Sequence, residues 1–533
     1  MTLSTPQGPT EVGPESADLS PTELALAALW RRLLGVPRIA PGDDFFALGG
    51  DSFRATRLAA QVERTFGVEA GATLAFDRPV LRGQAAWIEA RTAAPADVDR
   101  PAAATAPAGV PLTTQQIEFL DWMAATTPPR DPGAICTAIR IREPFDPEVL
   151  RRALDALTDR HAPLRTVPTR EADGRLTVAT ADRLPTDLAV VDAPGATAEE
   201  RELAAVAAAR AERGRVGDLV RDPLVRALVI RLAADDAVLV LSVHHFVFDG
   251  WSLGVLLREL GLLYSAFRTG AGSPLRPLPL DHDGYCAWTA ERWRRNRPFW
   301  TAELAGAPRA LEPFPGRRRT DRFSRRRHPF TVDAALADRL RLRARALGGT
   351  GFMAAAACWI GVLADWSGRT DLVLMSPVPG RTAAEHDALI GCLVQSLLLR
   401  VDVSGEPSFT EVLKRFRTTA LAAADHQFHA YHETARQVPH PARIHYEAWG
   451  TGPFLPGLRS EPFPLPREQE TLDWPTPGGE DDLSTPELIV EEQPDGSLAA
   501  AVVYNHHAFD PQTAARLADA FLARVEAAAT AQE

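Results

Sequence analysis

An Ala/Pro-rich stretch at residues 92–110 divides this chain of 533 residues into two parts of unequal size. The stretch offers a core little beyond alanine, which is typical of a linker. Residues 20–91 before it are enough for one small unit, and the remainder is long enough for two lobes. Residues 1–19 are rich in Pro, Gly, Ser and acidic residues without an apolar period, and they predict a flexible N-terminal tail.

Composition and charge exclude several classes of protein. The chain is 45% hydrophobic and 24% charged, as in ordinary globular proteins, and its net charge of -11 disfavours binding to nucleic acid or anionic membranes. No leader pattern opens the chain, and its apolar runs are shorter than the ~20 residues of a membrane span, so we expect a cytoplasmic protein. The cysteines show no C-x-x-C spacing, which indicates reduced thiols and no metal site: Cys136, Cys286, Cys358 and Cys392.

Three helices are predicted in residues 20–91. The first begins at Ser20, where Ser-Pro-Thr-Glu combines a capping box with Pro at the first helical position. The second has an apolar face at helical spacing and ends at Gly67, a typical C-cap residue. The third lies at residues 79–91.

Ser52 opens the second helix directly after the string Asp-Asp-Phe-Phe-Ala-Leu-Gly-Gly-Asp. Gly49 and Gly50 allow a tight turn, and helix amides at this position can face a phosphate. Taken alone, Asp51 or Ser52 is more often only an N-cap. The whole string, however, resembles the peptidyl carrier proteins of nonribosomal peptide synthetases. The resemblance implies a four-helix carrier bundle at residues 20–91 with 4'-phosphopantetheine attached covalently to Ser52.

Two adjacent histidines follow a predicted buried strand at residues 237–243. Because successive strand side chains point to opposite faces, His244 and His245 must have different roles. An imidazole can take a proton from an attacking amine or hydroxyl, or hold that nucleophile by a hydrogen bond. Asp249 could fix the loop or pair with an arginine, and Gly250 can keep a passage clear for a slender substrate.

The pattern His-His-x-x-x-Asp-Gly is similar to the active-site motif of the condensation-domain superfamily, and further similar segments lie at residues 160–166, 283–288, 377–381 and 390–394. The resemblance implies an α/β domain of two chloramphenicol-acetyltransferase-like lobes in a V, at residues 111–290 and 291–533, with a tunnel between them. It makes His245 the catalytic or positioning histidine, His244 its supporting neighbour and Asp249 a structural residue. We expect Arg381 to be the arginine paired with Asp249.

The resemblance predicts an acyltransferase of nonribosomal peptide synthesis. It would condense an acyl or peptidyl thioester carried at Ser52 with an acceptor amine, presented as an aminoacyl thioester on a second carrier, to form an amide. The sequence after Gly250 resembles the peptide-bond-forming branch, although Asp51 is commoner ahead of epimerization domains. Two alternatives stay open: a terminal releasing domain that uses a small free amine or alcohol, and a non-catalytic recruitment domain, whose members usually lose the His-His motif.

The predicted partners follow from this function. A phosphopantetheinyl transferase would modify Ser52, and an upstream adenylation or loading enzyme would supply the acyl group, because no adenylation motif is visible. The acceptor would be a second carrier protein or a small soluble nucleophile. The positions of Met1 and of the last predicted helix are compatible with a stand-alone protein and with an excised didomain.

Several segments depart from the family pattern or are ambiguous. Glu118 stands where Arg is usual, and Gln395 and Ser396 stand where Asn and Thr are common, so access of substrate could differ. Residues 505–510 echo the His-His motif with one residue fewer and no Gly, and we expect a structural strand end there. The arginine-rich residues 317–327 indicate a solvated loop between lobes, or alternatively a docking patch.

Overall fold

A computed structural model describes residues 19–92, 112–125, 133–171, 176–184, 186–215, 219–220, 222–434, 436–447, 455–465, 473–475 and 485–530. The contacts divide the chain into two compact units, Met1–Arg100 and Pro101–Glu533. Apart from residues 19 and 92, the predicted tail and linker lie outside the described residues.

The first unit is helical. Its helices are α1 Pro21–Leu34, α2 Ser52–Phe66, α3 Thr73–Asp77 and α4 Leu81–Thr92. The predicted capping box of α1 is confirmed, since Ser20 Oγ accepts from the Glu23 N–H at 3.1 Å and Glu23 Oε2 accepts from the Ser20 N–H at 2.8 Å. Gly67 ends α2 at φ 68°, as predicted. Trp30 is fully buried, and its Nε1 donates to Gln84 Oε1 at 3.1 Å, which joins α1 to α4.

The second unit mixes helices and strands. Its helices are α5 Thr114–Ala125, α6 Pro147–Arg160, α7 Ala198–Arg213, α8 Gly250–Arg268, α9 His282–Glu303, α10 Ala334–Ala346, α11 Gly351–Ser367, α12 Phe409–Asp425, α13 Tyr431–Thr434 and α14 Pro511–Thr530. Its strands are β1 Ala134–Ile141, β2 Thr166–Arg170, β3 Leu176–Thr180, β4 Asp187–Asp192, β5 Val225–Ala233, β6 Asp236–His244, β7 Arg322–Val332, β8 Asp371–Val378, β9 Gln395–Asp402, β10 Ala442–Glu447, β11 Ser460–Pro462, β12 Asp473–Pro475, β13 Glu487–Glu492 and β14 Leu498–Asn505.

The strands form two main sheets. Among the described residues, one has five strands in the order β11-β1-β6-β5-β4, and the other has seven in the order β12-β7-β14-β13-β10-β8-β9. β6 is buried along nearly its whole length, because it lies in the middle of its sheet between β1 and β5. The predicted limit between lobes at residues 290 and 291 falls inside α9, and β11 pairs with β1. The two sheets are therefore not separated at a single point in the chain.

The arginine-rich segment is largely a strand. Residues 322–327, expected to be loop, belong to β7, where residues 322–324 pair with β12 and residues 325–327 pair with β14. Arg325 lies 3.6 Å from Glu487, and Arg327 lies 3.7 Å from Glu491, both carboxylates being on β13. The loop interpretation is therefore wrong for residues 322–327, which form a strand, and carboxylates of β13 lie close to two of its arginines.

Within the described residues, no single helix is both long and apolar enough to cross a bilayer. Helices α10 and α11 together have the length and composition of a membrane span, but the pair is bent by 99°.

Candidate active site and carrier attachment site

Ser52 is the first residue of α2, and its side chain is partly exposed. Asp51 caps the helix, its Oδ1 accepting from the Arg54 N–H at 2.7 Å. Gly49 has φ 96°, and a Cβ on Gly50 would lie 2.3 Å from the ring of Phe45, so the turn before Ser52 requires both glycines. The hydroxyl is thus presented at the amide end of a 15-residue helix, which fits a phosphodiester.

His244 and His245 occupy different environments where β6 ends. The ring of His244 is buried, and its Nδ1 accepts from the N–H of Phe246 at 3.0 Å, so it holds the chain reversal after the strand. The backbone N–H of His245 donates to the carbonyl of Gly133 at 3.0 Å, which ties the turn to the start of β1. The ring of His244 is therefore part of the turn, and the ring of His245 is the candidate for the site.

The ring of His245 is half-buried between two elements. It meets the ring of Phe119 on α5 edge to face, with centroids 5.5 Å apart. Its Nδ1 lies 3.8 Å from Sγ of Cys392. Burial lowers the pKa of His245, although nearby backbone groups and Asp249 act in the opposite direction. The ring is therefore neutral at neutral pH and can accept a hydrogen bond or a proton.

The carboxylate of Asp249 binds three parts of the second unit: the start of α8, Arg381 and the backbone of Leu393. Its Oδ1 accepts from the N–H and the hydroxyl of Ser252, both at 2.8 Å, and this caps α8. Arg381 donates from Nη1 to Oδ2 at 2.8 Å and from Nη2 to Oδ1 at 3.1 Å, so the pair expected from the sequence is a contact in the structure. Asp249 is 3% exposed and Arg381 is 0% exposed. We call Asp249, Ser252 and Arg381 the Asp249 network.

The Asp249 network holds the short segment 391–393. The N–H of Leu393 donates to Asp249 Oδ2 at 2.9 Å, and the N–H of Gly391 donates to Ser252 Oγ at 3.1 Å. Cys392, between them, carries the sulfur that contacts His245. The network thus acts on a segment beside the site, and among the described residues it makes no hydrogen bond to the His245 ring.

Gly250 is the first residue of α8 and is exposed. Its proposed role in keeping a passage clear for substrate stays a prediction.

Helix α5, together with Thr113 just before it, completes the surroundings of the candidate site. Gln116 Nε2 donates to the carbonyl of Phe246 at 3.0 Å, and Thr113 Oγ1 donates to the carbonyl of Cys392 at 2.9 Å. Gln395 is buried, and its Oε1 accepts from Thr114 Oγ1 at 3.2 Å. These contacts could not be predicted from the sequence. In each of them the two hydrogen-bonded residues are more than a hundred positions apart in the chain. The one available signal was their occurrence inside motif-like segments.

No cluster of three or more His, Cys, Asp or Glu residues that could hold a metal ion occurs in the part of the chain that the structure describes.

A family model described as Condensation domain matches residues 135–533, and one described as Phosphopantetheine attachment site matches residues 25–88. This chain therefore belongs to the condensation-domain family, with a phosphopantetheine-binding carrier domain before it in the sequence. It is a peptidyl carrier protein–condensation didomain of the nonribosomal peptide synthetase type, with a helical carrier and an α/β condensation domain. The predictions of family, fold class and 4'-phosphopantetheine as the covalent cofactor are confirmed.

Comparisons with individual proteins agree with this assignment. Malpibaldin synthetase of Mortierella alpina is 33% identical over 437 residues, which are 79% of this chain and 8% of that protein. A dimodular nonribosomal peptide synthase of Bacillus subtilis (strain 168) is 30% identical, and the match covers 99% of this chain and 22% of that protein. The chain thus spans less than a quarter of the length of either relative.

Solved structures are similar across the condensation domain. The X-domain from teicoplanin biosynthesis has a TM-score of 0.67 and 26% identity, and it covers 80% of this chain and 97% of its own. The same domain has also been solved in complex with OxyB. SgcC5 from Streptomyces globisporus, in complex with (R)-(-)-1-(2-naphthyl)-1,2-ethanediol and sucrose, has a TM-score of 0.62 and 25% identity, and it covers 79% of this chain and 98% of its own.

Proposed function

We propose that this chain transfers an acyl or peptidyl group carried at Ser52 to an amine, forming an amide bond beside His245. The observation that carries the proposal is the half-buried, neutral ring of His245, which lies at the end of β6 and contacts segment 391–393. Phosphopantetheine on Ser52 supplies the thiol that bears the acyl group. His245 holds the acceptor amine or takes its proton, and the Asp249 network keeps the adjoining segment in place.

Positioning should contribute more than proton transfer. A thioester is already activated, and bringing two reactants into a near-attack arrangement can supply about 7–11 kcal/mol. General base assistance from one histidine is worth typically ~10²- to 10⁴-fold in rate. A neutral imidazole held at a fixed place can serve both purposes, because its free nitrogen orients the amine before it receives any proton.

The partners in this proposal are a phosphopantetheinyl transferase acting on Ser52, an upstream loading enzyme with adenylation activity, and an acceptor carrier protein. The presence of a carrier domain supports the first of these. The other two follow from the similarity to much longer synthetases, of which this chain spans a small part.

The test is transfer from the loaded chain, followed by intact-mass spectrometry. A phosphopantetheinyl transferase with an acyl-coenzyme A donor loads Ser52, with adenosine bisphosphate as the leaving group, and an aminoacyl carrier is then added. We expect the acyl mass to leave the wild type and to appear on the acceptor as an amide.

Three variants test the assignment of the residues. Ser52→Ala should not load, although Asp51 still caps its helix. His245→Ala should load normally and transfer at a severely reduced rate, whereas His507→Ala should match the wild type. Transfer at the wild-type rate by His245→Ala would overturn the proposal.

A second candidate is release to a small free nucleophile. The likeness to SgcC5, solved with a bound diol, favours it. The same loaded chain, given free amines or diols in place of the acceptor carrier, would then lose its acyl mass to a small amide or ester. Transfer to the carrier alone would contradict this candidate.

A third candidate is recruitment without catalysis, which the likeness to an X-domain solved in complex with OxyB supports. It predicts that the wild type keeps its acyl group with every acceptor, and that His245→Ala behaves identically.

A further inference from the structure

Helix α5 carries a carboxylate, that of Glu118, next to the residue that meets the candidate active-site ring. The ring of Phe119 lies against the ring of His245, with centroids 5.5 Å apart, and Glu118 directly precedes Phe119 in the chain. Gln116 Nε2 donates to the carbonyl of Phe246 at 3.0 Å. One side of α5 therefore faces the end of β6, where His245 lies.

Gln115 connects the carboxylate of Glu118 to this side of the helix. Residues three and four apart are neighbours on a helix surface, so Gln115 lies beside both Glu118 and Phe119. Gln115 is 8% exposed, and its Nε2 donates to Glu118 Oε2 at 2.6 Å. The bond holds the carboxylate toward the buried side of α5, whereas Glu118 as a whole is only half-buried. A carboxylate with access to water carries its negative charge at neutral pH.

The electrostatics of Cys392 agree with this placement. Burial raises the pKa of the Cys392 thiol well above its usual range, and this effect is reinforced by Asp249 and opposed by Arg381. The carboxylate of Glu118 raises this pKa further, so its charge acts at a sulfur that lies 3.8 Å from Nδ1 of His245. Asp249 and Arg381 offset each other's charge through their two hydrogen bonds. Glu118 therefore adds negative charge to the surroundings of His245.

This charge discriminates between acceptors. The attacking amine must be neutral, and a carboxylate close to it would favour its ammonium form instead. The charge of Glu118 therefore helps transfer only where the acceptor places a separate cationic group beside it. Such a group is attracted and an anionic group is repelled, and both effects are stronger in a partly solvated passage than in open water.

We propose that Glu118 is a specificity-determining residue, which selects acceptor amines that carry a second, permanently cationic group such as a guanidinium. This inference rests on the proposed function, since it concerns the acceptor of that transfer. An arginine at position 118, as in the family pattern, would disfavour the same acceptors.

The test compares two acceptors that differ in charge and hardly in shape. Arginine carries a guanidinium that is always charged, whereas citrulline carries a neutral urea group in its place. Each is given to the unloaded full chain as a non-hydrolysable pantetheine amide, and binding is measured by calorimetry. We expect the wild type to bind the arginyl compound about tenfold more tightly than the citrullyl compound, the effect of one nearby carboxylate.

Substitutions at position 118 should remove or reverse this preference. In Glu118→Gln the two compounds should bind equally, although the new amide oxygen can still accept from Gln115. In Glu118→Arg the citrullyl compound should bind more tightly. The matched control is Glu411→Gln, which removes the carboxylate of a half-buried glutamate on α12 that pairs with Arg415 at 3.0 Å. It should keep the wild-type preference.

Single-turnover transfer to arginyl and citrullyl carriers provides the second readout. The ratio of the two rates should follow the same order among the variants as the ratio of the affinities. Equal binding of the two compounds by the wild type, or an unchanged preference in Glu118→Gln, would overturn the inference. Binding is measured without any transfer, so an inactive wild type would contradict the proposed function while calorimetry still decides the role of Glu118.

Discussion

The guanidinium of Arg381 and the carboxylate of Asp249 meet through two hydrogen bonds of 2.8 and 3.1 Å in the interior of the condensation domain. Arg381 also donates to Ser252 Oγ at 3.0 Å and to the carbonyl of Leu389 at 3.2 Å. The pair therefore joins the beginning of α8, which follows the histidines, to the chain before segment 391–393. A buried ion pair contributes little net stability by itself, but either partner left alone is costly.

Replacing Arg381 by Met should destabilise the condensation domain strongly, because the carboxylate of Asp249 would stay buried without its counter-charge. The expected loss is about 3–5 kcal/mol, measured by urea unfolding. The matched control is Arg231→Met, which breaks the exposed pair of Arg231 and Asp192 at 2.7 Å and should cost about 1 kcal/mol or less. Equal losses of unfolding free energy in the two variants would show that Arg381 does not stabilise the buried carboxylate of Asp249.

Gly380 should tolerate alanine much less well than Gly368, although both have positive φ, at 65° and 68°. The left-handed conformation alone costs a side chain about 1–2 kcal/mol. A Cβ on Gly380 would also lie 2.0 Å from the carbonyl oxygen of Leu393, whereas nothing lies within 4 Å of one on Gly368. We therefore expect Gly380→Ala to lower the unfolding midpoint and the transfer rate, and Gly368→Ala to lower the midpoint slightly. Similar midpoints for the two variants would contradict the collision at Gly380.

Local features of the fold could be predicted from the sequence because their physical causes are local. The capping box at Ser20 and the C-cap at Gly67 each involve residues within a few positions of one another. The role of Asp249 in fixing its own loop is also short-range, because its carboxylate caps α8 three residues away. A pattern within one segment is sufficient to indicate such contacts.

Contacts between distant segments could not be predicted in this way. Cys392 and His245 are 147 positions apart, and no periodicity or spacing connects them. The loop predicted for the arginines of β7 is wrong for the same reason. A run of arginines indicates a solvated loop when it is considered alone. The structure shows that Glu487 and Glu491, on a strand of the same sheet, lie close to two of these arginines.

The condensation domain should lose stability in mild acid, in part through His282. Burial lowers the pKa of His282 to about 4, against the opposing effect of Asp281, and Sγ of Cys286 lies 3.7 Å from its Nδ1. The unfolded chain binds this proton near the ordinary value of 6.5, so the stabilising contribution is complete above that pH and is lost as pH falls toward about 4. The contribution is at most about 3 kcal/mol. Burial lowers the pKa of His161 as well, so more than one group contributes.

His282→Gln should therefore flatten the pH dependence. Urea midpoints of this variant and the wild type, measured between about pH 7.5 and about pH 5, should converge as the pH falls. A constant difference between the two proteins across this range would show that His282 does not titrate on unfolding.

Asn505 should have a structural role, and His507 should not take part in transfer. Both lie in residues 505–510, the segment that resembles the His-His motif. Asn505 is 3% exposed; its Oδ1 accepts from the N–H of Ser324 at 3.0 Å, and its Nδ2 donates to the carbonyl of Arg322 at 2.9 Å. Asn505→Ala should cost about 1–3 kcal/mol for the buried groups left unpaired, with the transfer rate per folded molecule unchanged. His507→Ala should transfer like the wild type, since it follows β14 of the seven-stranded sheet, whereas His245 follows β6 of the five-stranded sheet. A loss of transfer in His507→Ala comparable with that of His245→Ala would place chemistry in the second sheet and contradict the site assigned to the first.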